Sequence, residues 1–114
     1  MSRYFILRNG DVIEEPDHPS WAEWYESSFK EVECIDRTEL THGSVSTHFL
    51  AVDMTLARDA SPLLFETRVT GGWLADQRQR YATIEEARAG HESWVARVRE
   101  VEEENQLPPP GGAW

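Results

Sequence analysis

Positions 44–91 constrain the fold more than any other part of the chain, because two strand-like runs, a turn and a helix follow one another there. The runs at 44–54 and 63–70 are rich in residues that favour β-strands. Gly71-Gly72 closes the second run as a turn, since a phosphate-binding loop would need further glycines and a lysine. This order predicts antiparallel strands with a helix packed against them.

The helix after this turn has the clearest boundaries in the chain. Thr83 and Glu86 match a capping box, in which each side chain satisfies a free amide at the helix start. The residues that then step by three and four along one face are Ile84, Ala87, His91, Trp94, Val98 and Val101. We expect a helix to about residue 105, a single domain over residues 1–106, and a flexible Pro/Gly tail at 107–114.

The N-terminal part predicts a hairpin followed by a short helix. Strand-like residues 4–7 and 11–14 flank Asn9-Gly10, a pair that favours a two-residue turn. Ser20 and Glu23 match a second capping box, which predicts a helix over 21–30. Its aromatic stripe is Trp21, Trp24, Tyr25 and Phe29, and we expect that stripe to pack in the core.

Further strands are expected at 32–40 and 79–81, and a polar loop at 55–61. The sequence therefore predicts an α+β fold. In this fold an antiparallel sheet of about four to six strands carries a long C-terminal helix across one face, and a short helix follows the N-terminal hairpin.

The composition of the chain limits which partners and which cellular location we expect. Of the 114 residues, 21 are acidic and 11 basic, which gives a net charge of −10 and predicts no direct binding to nucleic acid. The one cysteine, Cys34, cannot form an intramolecular disulfide. No apolar run approaches the ~20 residues that span a bilayer, so we expect a cytoplasmic protein without membrane contact.

Catalytic and metal-binding patterns are weak. His42 and His48 are separated by roughly 20 Å in an extended chain, which is too far to share an ion, so no metal or cofactor is expected. His91 lies on the apolar face of the last helix, where it is either a core histidine with a satisfied ring or an acid/base group beside Glu66. His48 carries the same two alternatives, and these three residues are the candidates for catalysis.

Carboxylates concentrate in two places that could bind a basic partner. The first group surrounds the predicted first helix and consists of Glu14, Glu15, Asp17, Glu23 and Glu26. The second group is Glu102, Glu103 and Glu104, near the end of the last helix, where the helix dipole disfavours negative charge. The acidity either forms a binding surface or only keeps the chain soluble.

Several short sequence segments, in fixed order, resemble a small protein family encoded by bacteriophages and prophages. They are SVSTHFLAVD at 44–53, PLLFET at 62–67, GG at 71–72, RYATIEEA at 80–87 and GH at 90–91. The chain departs from the family pattern at 54–61, where a glycine-rich loop is usual, and at Trp73, where proline is common. The resemblance carries no catalytic residue. It implies a bacterial host cell during infection as the setting.

Together these observations favour a small, acidic, non-enzymatic accessory protein that binds a basic host or phage protein complex. One form of this hypothesis is an anti-CRISPR or anti-restriction inhibitor that acts by negative-charge mimicry. The alternatives are a small enzyme that uses His48, His91 and Glu66, and a self-associating phage structural or assembly protein.

Overall fold

The computed structural model describes residues 3–53 and 62–105, and within them the chain forms seven strands and two helices. In chain order the elements are β1 (Arg3–Arg8), β2 (Asp11–Glu14), α1 (His18–Val32), β3 (Cys34–Glu39), β4 (Gly43–Phe49), β5 (Val52–Asp53), β6 (Phe65–Gly71), β7 (Arg78–Tyr81) and α2 (Ile84–Glu104). The α+β class is confirmed. The single sheet expected from the sequence is wrong, because the described strands form two sheets, ordered β2-β1-β5 and β3-β4-β6-β7.

The N-terminal hairpin forms as predicted. Asn9 and Gly10 both have positive φ angles, of 54° and 83°, which is the geometry of the turn that matches strand twist. Leu7 pairs with Val12, and the antiparallel register extends to Arg8 and Asp11 at the turn. The turn chemistry alone therefore fixes this hairpin.

Helix α1 is longer than predicted and begins earlier. Asp17, not Ser20, is the N-cap, and its side chain accepts a hydrogen bond from the Ser20 amide at 3.1 Å. Pro19 lies inside the first helical turn, where the N–H that proline lacks would have no acceptor within the helix, so it does not interrupt α1. Of the aromatic stripe, Trp21 packs on the core and donates its indole N–H to the Phe5 carbonyl at 2.9 Å.

The strand expected at 44–54 is interrupted. Strand β4 ends at Phe49, and Ala51 takes a positive φ of 66° that turns the chain out of the four-stranded sheet. Strand β5 then pairs with β1, where Tyr4 lies opposite Val52. Ala51 is fully buried, and its carbonyl accepts a hydrogen bond from the Phe5 amide at 2.8 Å. Tertiary contacts therefore hold a residue that would otherwise continue the strand.

The four-stranded sheet is antiparallel throughout. Phe49, Phe65 and Tyr81 form one cross-strand row, and the short strand predicted at 79–81 is confirmed as β7. Gly43 faces the backbone of Gly71 so closely that a Cβ would lie 2.7 Å from the Gly71 carbonyl oxygen. This end of the β4–β6 pair therefore requires glycine.

Helix α2 lies across one face of this sheet, as predicted. Its capping box between Thr83 and Glu86 is complete, and it ends at Glu104 with Asn105 as C-cap. The residues it buries are Ile84, Ala87, His91, Val95 and Val98. Trp94 is only half-buried and donates its indole N–H to Gln79 at 2.9 Å, so Val95 takes the core position expected for Trp94.

The sheet has a second face that α2 does not cover. The opposite face of the four-stranded sheet, called here the outer face, is turned away from α2, and Arg37, Arg68, Arg78 and Arg80 lie on it. The loop predicted at 55–61 and the tail at 107–114 lie outside the described residues.

Candidate functional site

His91 is a buried part of the packing between α2 and the sheet. Its ring is 0% exposed, and its Nδ1 lies 2.8 Å from Thr47 Oγ1, while Nε2 lies 2.9 Å from Thr38 Oγ1. Thr47 Oγ1 is also 2.6 Å from Thr67 Oγ1. Nε2 is 3.7 Å from the carboxylate of Asp36, at the more open end of the network. Both ring nitrogens are therefore already hydrogen-bonded, which is the arrangement of a core histidine.

The candidate catalytic residues are not brought together around His91. His48 follows Thr47 along β4, so its side chain points to the outer face, away from the His91 ring. Glu66 pairs directly with His48 and shares that outer face. The hypothesis of an acid/base pair between His91 and either residue is therefore wrong, because a sheet separates the groups. His48 and Glu66 remain neighbours of each other.

A depression of about 330 Å³ opens at His48, between α1 and the outer face. Its lining residues are Tyr25, Phe29, Glu33, His48, Phe49, Leu50, Glu66 and Arg68. Tyr25 stacks on Phe29 with ring centroids 4.4 Å apart and is 42% exposed, so Tyr25 is not a core residue, whereas Trp24 and Phe29 pack against the core as predicted. The Nδ1 atom of His48 is buried without a hydrogen-bond partner among the described residues.

Arg68 lines this depression, and three further arginines lie elsewhere on the outer face. Arg80 lies opposite Glu66, with 3.9 Å between Arg80 Nε and Glu66 Oε1. In the adjacent row Ser46 of β4 lies between Arg37 and Arg68, and Arg78 follows Arg68 on the far side. Three of these arginines, Arg80 among them, have a carboxylate neighbour, because Arg37 is 2.7 Å from Glu39 and Arg68 is 3.8 Å from Asp76. The depression itself is lined by two carboxylates, of Glu33 and Glu66, and one guanidinium, of Arg68.

The predicted partner-binding carboxylates fall into two kinds. Some stabilise the fold: Glu14 accepts two hydrogen bonds from Arg3 at 2.8 and 3.1 Å, Asp17 caps α1, and Glu15 accepts from the Asp17 amide at 3.0 Å. Hydrogen bonding from Arg3 lowers the pKa of Glu14, and the same contact raises the pKa of Arg3.

Glu102 also has a structural contact. Its carboxylate accepts hydrogen bonds from the backbone amides of Thr41 at 3.3 Å and His42 at 2.6 Å, which ties the end of α2 to the β3–β4 turn. An open depression of about 570 Å³ lies beside this contact. Glu102 therefore compensates locally for its position at the negative end of the helix dipole.

The second kind of carboxylate has no such contact. The side chains of Glu23 and Glu26 on α1, and of Glu103 and Glu104 at the end of α2, are exposed and form no hydrogen bond or ion pair with another described residue. These four side chains are free to meet a partner. Whether they bind one stays a prediction.

Within residues 3–53 and 62–105 no group of three or more His, Cys, Asp or Glu side chains is arranged to hold a metal ion. No helix in the described part of the chain is long and apolar enough to span a membrane.

Sequence reasoning missed the arginines of the outer face and the threonines that bind His91. One signal was present, since Glu66, Arg68 and Thr70 alternate with buried residues along β6. The register that brings Arg78 opposite Arg68 depends on the turn between β6 and β7, and the sequence did not specify that turn.

Comparisons with protein-family models, curated proteins and solved structures gave no match. The resemblance to a phage-encoded family therefore stays a prediction.

Proposed function

We propose that this chain is a non-enzymatic binding protein that engages a basic surface of another protein through unpaired carboxylates. The observation that carries the proposal is the pair Glu23 and Glu26, which lie on the exposed side of α1 with no described ionic partner. The net charge of −10 supports it, because a negative potential steers basic partners and speeds their association.

The end of α2 supports the same proposal. The last turn carries no basic residue, although a cation there would interact favourably with the helix dipole. Glu103 and Glu104 stand in this unfavourable position without the amide contacts that Glu102 has. A basic partner would relieve the local repulsion.

A narrower form of the proposal names the partner class. In a bacterial cell during phage infection, the partner is a host defence complex with a basic nucleic-acid groove, and the carboxylates occupy that groove. Only the charge and the sequence resemblance support this form. The enzyme alternative loses its three-residue site because His91 is separated from His48 and Glu66. The self-associating assembly protein stays an alternative without a specific supporting contact.

The test is affinity purification of the tagged protein from infected bacterial cells, followed by quantitative mass spectrometry. Binding to a basic complex should weaken with added salt and be lost in the double variant Glu23→Lys/Glu26→Lys. The matched control is Glu85→Lys/Glu92→Lys, which changes the net charge equally on the exposed side of α2.

The binding results of these variants distinguish the proposal from its alternatives. Retention of the complex by the control and by His48→Ala, with loss in the α1 variant, supports the proposal. Unchanged binding in the α1 variant and in Glu103→Lys/Glu104→Lys would overturn it, because both groups of unpaired carboxylates would then be dispensable.

A further inference from the structure

Strand β3 forms an edge of the four-stranded sheet. It pairs with β4 on one side, and within residues 3–53 and 62–105 no strand pairs with its other side. The side chains of Arg37 and Glu39 are 59% and 67% exposed at this edge. Helix α2 lies mainly over β4 and β6, so it leaves room beside β3. An open edge of this kind presents backbone groups that can pair with another strand.

The backbone groups of Arg37 and Glu39 point toward this open side. Leu40 donates its amide back to the start of β4 at 2.8 Å, so residue 40 belongs to a hydrogen-bonded pair. Because bonded and non-bonded pairs alternate along an antiparallel ladder, Thr38 also bonds to β4, whereas Arg37 and Glu39 face away from it. The Arg37 amide donates to the Asp36 carboxylate at 2.8 Å, but this contact is exposed and water competes for it. These two residues can therefore extend the ladder to a further strand.

Bulges and charged side chains usually protect a sheet edge from such pairing. The register shift of β3 lies between Cys34 and Asp36, before the outward-facing residues, so it does not protect them. Charge does protect β7, where Gln77 bonds to β6 and the same alternation turns Arg78 and Arg80 outward. A second copy of β7 would oppose arginine to arginine. Strand β3 differs, because its two outward-facing residues have opposite charges.

Two copies of β3 can pair antiparallel about a two-fold axis at Thr38. This register places Arg37 of one copy opposite Glu39 of the other, and symmetry forms the same pair a second time. The outward-facing backbone groups then meet, which supplies about four hydrogen bonds. Registers centred on Arg37 or on Glu39 also match the backbone but oppose like charges. Because Arg37 already lies 2.7 Å from Glu39 within each copy, the dimer joins two exposed ion pairs into one network.

We propose that the chain forms a symmetric dimer through β3, which joins the four-stranded sheets of two copies into one antiparallel sheet. This goes beyond the proposed function, which uses α1 and the end of α2 and does not involve β3. Each copy has a net charge of −10, so repulsion between copies keeps the association weak. Because the paired segment is also short, we expect a Kd between about 10 µM and 1 mM.

The experiment is sedimentation equilibrium of the full chain over roughly the same range of concentration, from 10 µM to 1 mM. Arg37→Glu and Glu39→Arg should each weaken self-association about tenfold or more, because both opposite-charge pairs become like-charge pairs. An equimolar mixture of the two variants should associate about as tightly as the parent chain, because each altered side chain then meets an opposite charge on the other copy. The ion pair within each copy stays broken in this mixture, so only contacts between copies can restore the association.

Matched controls separate this contact from a general effect of charge. Arg88→Glu and Glu92→Arg change the net charge by the same amounts at exposed positions on α2. These two variants, alone and mixed, should associate like the parent chain. Circular dichroism confirms that each variant is folded.

Hydrogen exchange locates the paired edge. The amides of Arg37 and Glu39 should exchange more slowly in concentrated than in dilute protein, because the dimer adds backbone partners to both. A parent chain that stays monomeric at the highest concentration would overturn the proposal, and so would a mixture of the two β3 variants that does not recover association. Slower exchange at Arg78 and Arg80 instead would also overturn it and identify β7 as the paired edge.

Discussion

The hydrogen-bonded group around His91 makes a strong prediction about stability. Thr47→Val keeps the shape and the strand preference of the side chain but removes the hydroxyl that bridges His91 Nδ1 at 2.8 Å and Thr67 Oγ1 at 2.6 Å. Thr47, Thr67 and His91 are all 0% exposed, so water does not replace the lost partner. Two buried polar groups are thereby left unsatisfied.

The expected cost follows from those two groups. Each unsatisfied buried group costs about 1–3 kcal/mol, and the added methyl group returns part of this, so we expect a loss of about 2–4 kcal/mol. For a domain of this size such a loss lowers Tm by roughly 10–20 °C. The measurement is urea unfolding followed by circular dichroism, with the slope of the transition checked for two-state behaviour.

Two comparisons test the reasoning. Thr70→Val, at an exposed position on the outer face, should change the free energy of unfolding by less than about 0.5 kcal/mol. Thr47→Val/Thr67→Val should cost less than the sum of the single changes, because the second substitution removes a group that the first leaves unpaired. If Thr47→Val were as mild as Thr70→Val, the buried network would not hold α2 on the sheet.

Three further predictions concern single contacts. Gly90→Ala, which usually stabilises a helix by about 1 kcal/mol, should here destabilise by about 1–2 kcal/mol in thermal unfolding, because a Cβ would overlap the ring of Tyr81. Glu102→Ala should cost about 1 kcal/mol in urea unfolding through its lost amide contacts, and equal stability of Glu103→Ala and Glu102→Ala would contradict this. The pKa of Glu14 is lowered by folding, so its stabilising contribution is present above the unfolded value of 4.5 and is lost as pH falls through the folded value. The Tm of Glu14→Gln should therefore match that of the parent protein in acid and lie below it at neutral pH.

The elements predicted well from sequence are those set by neighbouring residues. The Asn9-Gly10 turn and the Thr83 capping box act over four residues or fewer, and both formed as expected. The interruption at Ala51 could not be read in the same way, because alanine rarely takes a positive φ and does so here only under the packing of the two sheets.

The candidate site was less predictable than the fold for a similar reason. His48, His91 and Glu66 were recognised as unusual, but which of them meet depends on strand alternation and register. The opposed arginines Arg68 and Arg78 are ten residues apart and become neighbours only through the turn that joins β6 to β7. A one-residue change in that register would place one of them on the other face.

The turn at Ala51 also separates two parts of the molecule that can unfold locally to different extents. Among the described residues, strand β5 joins β1 through two residue pairs, Arg3 with Asp53 and Tyr4 with Val52, whereas β4 and β6 pair over seven. Within the described chain, the hairpin and α1 are thus attached to the rest by a short ladder and by side-chain packing. We expect native-state hydrogen exchange to show the β1–β5 amides opening at a lower free energy than those of β4 and β6, which exchange only through global unfolding. The protein would then behave as two cooperative units that share one core.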